Sequence, residues 1–185
     1  MFSKKVIITI AFVAVIASSG FSALSYVKKV GQAYVFAYPL VLMDLTRQVM
    51  TEGEGPHKFP VNTIFHRSNF PDHTFRAVVR PNVDTLYSIA WLDLTEQPVV
   101  IKTPDTQGRY YVLPFMDAWT NVFATVGKRT HGTQANKFVV VGPNWTGTTP
   151  EGLEVIKAPT NMVWMIGRIQ TNSIADIENV KKLQS

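Results

Sequence analysis

The sequence predicts a mainly β protein: a jelly-roll-like β-sandwich with an N-terminal helix and a short C-terminal helix. Three observations carry this. Short apolar runs follow one another from Phe75 to Ile169 with Gly and Pro between them, the pattern of sandwiches, jelly rolls and barrels. Two of these runs are apolar on both faces, so something must cover each side of them. Helical three- and four-residue spacing occurs only towards the two ends of the chain.

Met1 to Ala23 carries Lys4 and Lys5, an uncharged apolar run from Val6 to Ala17, and then Ser18-Ser19-Gly20-Phe21-Ser22-Ala23. A basic start, a short apolar middle and small residues at the end make a secretory signal peptide, with cleavage expected after Ala23 or around Ser19. The rival reading is an uncleaved anchor, since no charge falls between Lys5 and Lys28. Ser18, Ser19, Gly20 and Ser22 dilute the second half of that span. Either reading places the folded part outside the cytoplasm, periplasmic or secreted. A membrane is involved only if the segment stays attached.

From Leu24 to Met50, Val27, Val30, Tyr34, Tyr38, Val41 and Leu45 recur at helical spacing, which predicts a helix laying one apolar face on a sheet. Pro39 removes an internal hydrogen bond, so a kink or break is expected near Tyr38. Tyr34 and Tyr38 are expected in the core, because aromatic stripes mostly pack. Thr51 to Pro60 reads as a loop on its Gly and Pro residues, and Asn62 to Asp72 as irregular.

The predicted strands are Phe75–Val79, Leu86–Leu94, Val99–Lys102, Tyr110–Phe115, Phe138–Val141, Leu153–Ile156 and Asn161–Ile169. In Leu86–Leu94 one face carries Tyr87, Ile89 and Trp91 and the other Leu86, Ala90 and Leu92. Met162–Ile169 is likewise two-faced. Ser173 to Gln184 closes the chain as a helix, with Ser173 as cap, Asp176 in the first turn and Ile174, Ile177, Val180 and Leu183 on one stripe.

With 185 residues, 46% of them hydrophobic, residues 24–185 can build one core and are read as one domain. Cysteine is absent, which excludes disulfides, thiolate nucleophiles and Cys-based metal sites. The net charge of +5 includes Lys4 and Lys5; without Met1 to Ala23 it falls to +3. No Lys/Arg run is long enough for a nucleic-acid track.

Several runs together resemble a known family: Arg80-Pro-Asn-Val-Asp-Thr-Leu-Tyr-Ser, Ala90-Trp-Leu-Asp-Leu, Gly108-Arg-Tyr-Tyr, Met116-Asp-Ala-Trp-Thr, Gly142-Pro-Asn-Trp-Thr-Gly and Val163-Trp-Met-Ile-Gly-Arg. From about Ala33 to the C-terminus, in this order, they resemble the bacterial "domain of unknown function 1254" family. The resemblance implies an exported, jelly-roll-like protein that forms oligomers. It also implies a following domain of the "unknown function 1214" type, which this chain is expected to lack. It brings no catalytic residues.

The central stretch holds the first candidate site. Arg80, Asn82, Asp84 and Tyr87 lie close to Trp91, a set suited to a glycan or small polar ligand that needs hydrogen bonds and a flat apolar face. The same Arg-Pro-Asn-x-Asp is also a turn, with Asn and Asp bonding nearby backbone. The second candidate is Asp117 with Trp119, as ligand anchor or general base. Its structural alternative is a buried pair with Arg109, Arg129 or Arg168. An exported hydrolase or lyase would use Asp84 or Asp117 as acid/base, with Arg129 or His131 assisting.

His57, His66, His73 and His131 form no H-x-H or H-x-x-x-H pair, so no metal is predicted. No nucleophile elbow, phosphate loop or dinucleotide fingerprint occurs, and no cofactor is implied. Asn144-Trp145-Thr146 fits a glycosylation pattern, but beside Gly142-Pro143 and Gly147 it reads as a turn. The leading expectation is a non-enzymatic exported ligand-binding module that assembles with itself or with a second β-domain.

Overall fold

The computed structural model describes residues 4–55, 57–76 and 79–185, with side chains from Leu24 onward. The side chains of the expected signal segment Met1–Ala23, and the middle of the expected strand Phe75–Val79, lie outside the described residues. The chain divides into two compact units, Met1–Val41 and Leu42–Ser185.

The first unit consists of helix α1, Lys4–Thr51, which continues into the second. The helix assignment runs through Pro39 without the expected break. Tyr34 and Tyr38 are 67% and 52% exposed rather than in the core. Their rings touch each other along the helix, with centroids 5.8 Å apart. The physical reason is local: within its own unit this stretch has no second element against which to bury a stripe. Among the described residues no helix is long and apolar enough to cross a membrane.

The second unit is β-rich. Its strands are β1 Ile64–His66, β2 Thr85–Asp93, β3 Val99–Thr103, β4 Tyr111–Met116, β5 Val122–Gly127, β6 Asn136–Val141, β7 Glu154–Lys157 and β8 Met162–Gln170. A short helix α2, Lys128–His131, follows β5, and α3, Ile177–Gln184, follows a 3-10 turn at Ile174–Asp176. One sheet has the order β1-β2-β8-β4-β5 and the other β3-β6-β7, in a sandwich-like arrangement. All pairs are antiparallel except β6 with β7.

The central pair β2–β8 is in register from Thr85↔Gln170 to Asp93↔Met162. Leu86, Ala90, Phe115 and Val163 of the larger sheet meet Ile101, Phe138 and Val140 of the smaller in one buried cluster, with Ile177 and Val180 of α3 added to it. The outer face of β2 is covered too. Ile89 and Trp91 pack with Met43 of α1 and Phe59. This meets the expectation from a two-faced apolar strand that its second side is covered, whether by a helix, a sheet or another chain.

Strands β1 and β5 correct the sequence reading, which left Asn62–Asp72 irregular and Val122–Gly127 unassigned. β1 is three residues long, too short for any period, and exists because it pairs with Ile89 and its neighbours on β2. β5 follows a tight turn and a register shift at Phe115/Met116, and such bulges break the alternation by which a strand is recognised. Ser173 makes no side-chain cap. Instead Asp176 Oδ2 accepts the Asn172 N–H at 3.0 Å.

Candidate functional site

The stretch before β2 folds as the Asn/Asp chemistry dictates. Asn82 Oδ1 accepts the backbone N–H groups of Asp84 at 2.6 Å and Thr85 at 3.0 Å, and its Nδ2 donates to Thr85 Oγ1 at 2.9 Å. This is an Asx-type turn that starts the strand. Arg80 and Asp84 are exposed beside it. The turn delivers Asn82, Thr85 and Tyr87 to the edge of a cleft on the outer face of the larger sheet.

That cleft has a volume of about 690 Å3. Tyr87 and Ile89 of β2 and Trp164 and Ile166 of β8 line it from the sheet, while Val49 and Met50 line it from the end of α1. Its surface is mostly apolar, with Phe59, Phe65, Phe75, Tyr87 and Trp164 contributing aromatic rings. Phe59 and Phe65 stack at 5.3 Å with planes 8° apart, and Trp164 stacks on the fully buried Trp91 at 4.9 Å. The polar contribution is basic or neutral. His57, Lys58 and Arg67 line the cleft with Asn69 and Asn82, and no acid does among its described residues. The Arg67 guanidinium lies 5.6 Å over the Phe75 ring, a placement that holds the cation at the edge of an apolar wall.

The sequence-predicted residues therefore divide. Asn82 and Tyr87 line the cleft, and Trp91 lies beneath it as the support of Trp164. Asp117 and Trp119 are elsewhere. Asp84 precedes Thr85, opposite Gln170, whereas Asp117 follows Met116, opposite Trp164. Six residues along β8 separate the two ends, about 20 Å at ~3.3 Å per residue. The two carboxylates do not converge, so they form no acid/base pair.

Asp117 is 5% exposed and, among the described residues, pairs with no arginine. Its Oδ1 accepts the backbone N–H groups of Trp119 and Asn121, both at 2.9 Å, and Oδ2 accepts from Asn121 Nδ2 at 3.2 Å. It is the organiser of the turn between β4 and β5. Arg109 instead pairs with Asp176, Arg129 lies 5.6 Å over the Tyr110 ring, and Arg168 lies 5.3 Å over Tyr87. His131 joins Glu154 at 3.1 Å and Thr130 at 2.7 Å. Arg129 and His131 are thus tied to local partners and not to either acid. Among the described residues no three His, Asp or Glu side chains group to hold a metal.

The residues that sequence reasoning missed are Phe59, Phe65, Arg67 and Trp164. They come from separate segments, and no local spacing joins them. The available signal was the two-faced apolar pattern of the strand that holds Trp164, which marked its outer face as covered.

The model of a family described as "Protein of unknown function (DUF1254)" matches residues 61–185. No curated protein matches. The crystal structure of the VPA0106 protein from Vibrio parahaemolyticus is similar with a TM-score of 0.63 and 26% identity, over 82% of this chain and 35% of that one. A putative uncharacterized protein from Burkholderia cenocepacia is similar at TM-score 0.42 and 13% identity, over 60% of this chain and 31% of that one. The chain spans about a third of the length of these solved relatives.

Proposed function

The chain belongs to the DUF1254 family of proteins of unknown function, and we propose that it is an exported, non-enzymatic module that binds a small ligand in the outer-face cleft and assembles with itself or with a second β-domain. The single observation that carries this reading is the cleft itself: about 690 Å3 lined by Phe59, Phe65, Tyr87 and Trp164 with Arg67 at its edge. A cavity of this size, mostly apolar with a few polar groups, is what small-molecule sites look like. Aromatic faces favour a flat ring or the apolar face of a sugar. Basic residues without a lining acid favour an anionic or hydroxyl-bearing edge. Export rests on the basic and apolar segment Met1–Ala23, and assembly on the apolar side chains exposed along α1.

The test uses anilinonaphthalene sulfonate as a flat anionic probe, followed by its own emission and by tryptophan quenching. Saturable binding is expected, weakened about tenfold in Phe65→Ala, as loss of an aromatic contact implies. In Arg67→Gln, binding should lose much of its salt dependence. Equal binding in both variants, or no saturation, rejects the cleft. Light scattering of the purified chain reads assembly, and a monomer at all concentrations removes that part of the proposal.

A further inference from the structure

A second cavity of about 210 Å3 lies between the two sheets, apart from the outer cleft, and its chemistry is different. His66 and Ser88, directly paired on β1 and β2, face it together with Thr103 of β3, Tyr111 of β4 and Gln184 of α3. Gly167 sits opposite Ser88 on β8. A Cβ there would fall 2.5 Å from Leu113 Cδ2 and 2.8 Å from the Ser88 carbonyl oxygen, so the close approach of β8 to β2 beside the cavity requires glycine.

The polar groups around this space are only half matched. His66 Nδ1 is 2.8 Å from Ser88 Oγ, and Gln184 Nε2 donates to the Tyr87 carbonyl at 3.2 Å and to Ser88 Oγ at 3.3 Å. The Tyr87 bond fixes the amide, leaving Gln184 Oε1 as an acceptor. That oxygen, the Tyr111 hydroxyl and the Thr103 hydroxyl are all buried without a partner. Tyr111 is 4% exposed and Thr103 is 6% exposed. Three orphaned groups from three different elements around one cavity depart from the rule that buried polar groups are paired.

We propose that this cavity binds a small neutral polyol, of three or four carbons, whose hydroxyls complete the hydrogen bonding of Tyr111, Thr103 and Gln184 beside the His66–Ser88 pair. Size sets the carbon number: at ~30 Å3 per water-sized atom group the space holds about seven. Charge sets neutrality. No aspartate or glutamate is among the described lining residues, and the two cations that line the space, Lys102 and Arg168, are exposed, with Arg168 held over the Tyr87 ring. Burial also holds the His66 imidazole below its usual pKa, hence neutral at pH 7. Unpaired charge in such a space is costly. Gln184 Oε1 requires a donor, while the Tyr111 and Thr103 hydroxyls and His66 Nε2 can each act in either sense. Hydroxyl groups meet all of these at once.

The probes are glycerol and erythritol, titrated into the whole chain and followed by amide chemical shifts, with acetate and sorbitol as the anionic and oversized controls. Saturable shifts at His66, Ser88, Thr103 and Tyr111 are expected for glycerol or erythritol and not for the controls. Tyr111→Phe removes an orphaned hydroxyl without changing shape. It should fold at least as stably as the wild type yet bind about tenfold more weakly. Thr103→Val is the second variant, should Tyr111→Phe fold poorly. Shifts that rise linearly without saturation, as a bulk osmolyte gives, overturn the proposal. So does equal affinity in wild type and variants, which would mean that the polyol binds without the Tyr111 and Thr103 hydroxyls.

Discussion

The indole rings of Trp91 and Trp164 lie face to face across β2 and β8, with centroids 4.9 Å apart and planes within 5°, at directly paired positions in the register. Trp91 is fully buried, and Trp164 carries the same stack to the surface of the outer cleft. Trp91→Ala should therefore cost about 3–5 kcal/mol, the range for a deleted core aromatic. The pair should show a coupling of about 1 kcal/mol in a double-mutant cycle, as aromatic pairs do beyond their burial. Urea midpoints of the two single variants and the double variant check both numbers. Additive losses would mean that the rings merely share a core.

Asp117 tests whether the turn reading of a buried acid is sufficient. Asp117→Ala leaves the Trp119 and Asn121 N–H groups without their acceptor and should destabilise by about 2 kcal/mol. Asp117→Asn keeps one acceptor oxygen and should cost less. The turn also holds Thr120 at φ 69, a left-handed conformation uncommon for threonine, so removing Asp117 relaxes it. Neither variant should change binding in the outer cleft. A ligand-affinity loss in Asp117→Asn would return this residue to the list of site candidates.

The parts of this protein legible in its sequence are those that repeat along the chain. The alternation in Leu86–Leu94 and Met162–Ile169 reveals the central strand pair and its two covered faces. Asn82 announces its turn, because its side chain bonds within three residues. Arg109 and Asp176, 67 residues apart, give no such signal, nor do Phe59, Phe65 and Trp164, which meet only when three segments fold together. Tyr34 and Tyr38 mark the opposite failure. Their spacing describes an apolar face correctly, but spacing says nothing of whether a partner element lies against that face.

Gly127 offers a test of strand packing that involves no special backbone angle. A Cβ there would sit 2.5 Å from the Tyr111 carbonyl oxygen and 3.0 Å from Val112 Cα, both backbone atoms of the paired strand β4. Gly127→Ala should then destabilise by about 2–3 kcal/mol, as forced overpacking does. Gly132→Ala meets nothing within 4 Å but sits at φ 73. It should cost about 1–3 kcal/mol, for a φ 73, ψ −160 backbone that essentially only glycine adopts. Thermal unfolding of the two variants side by side separates the two causes. A smaller loss at Gly127 would mean that β5 can move away from β4.

The Arg109–Asp176 pair sets an acid limit on the attachment of α3. Arg109 Nη1 and Nη2 donate to the two carboxylate oxygens of Asp176 at 2.5 and 2.9 Å, and Nη1 also donates to the Gln170 carbonyl at 2.8 Å. These bonds from Arg109, followed by the Asn172 N–H, hold the Asp176 carboxyl well below the ordinary carboxylate range. A depressed folded-state pKa gives stability that is fully present above the unfolded value, about 3.9, and is lost as pH falls towards the folded one. Wild type should therefore lose stability below about pH 4 more steeply than Asp176→Asn, which has no proton to take up at this position. The two should run in parallel from there to neutral pH, with the variant lower throughout. Melting curves at matched ionic strength give the comparison. Identical slopes on the acid side would show that the pair does not couple to folding.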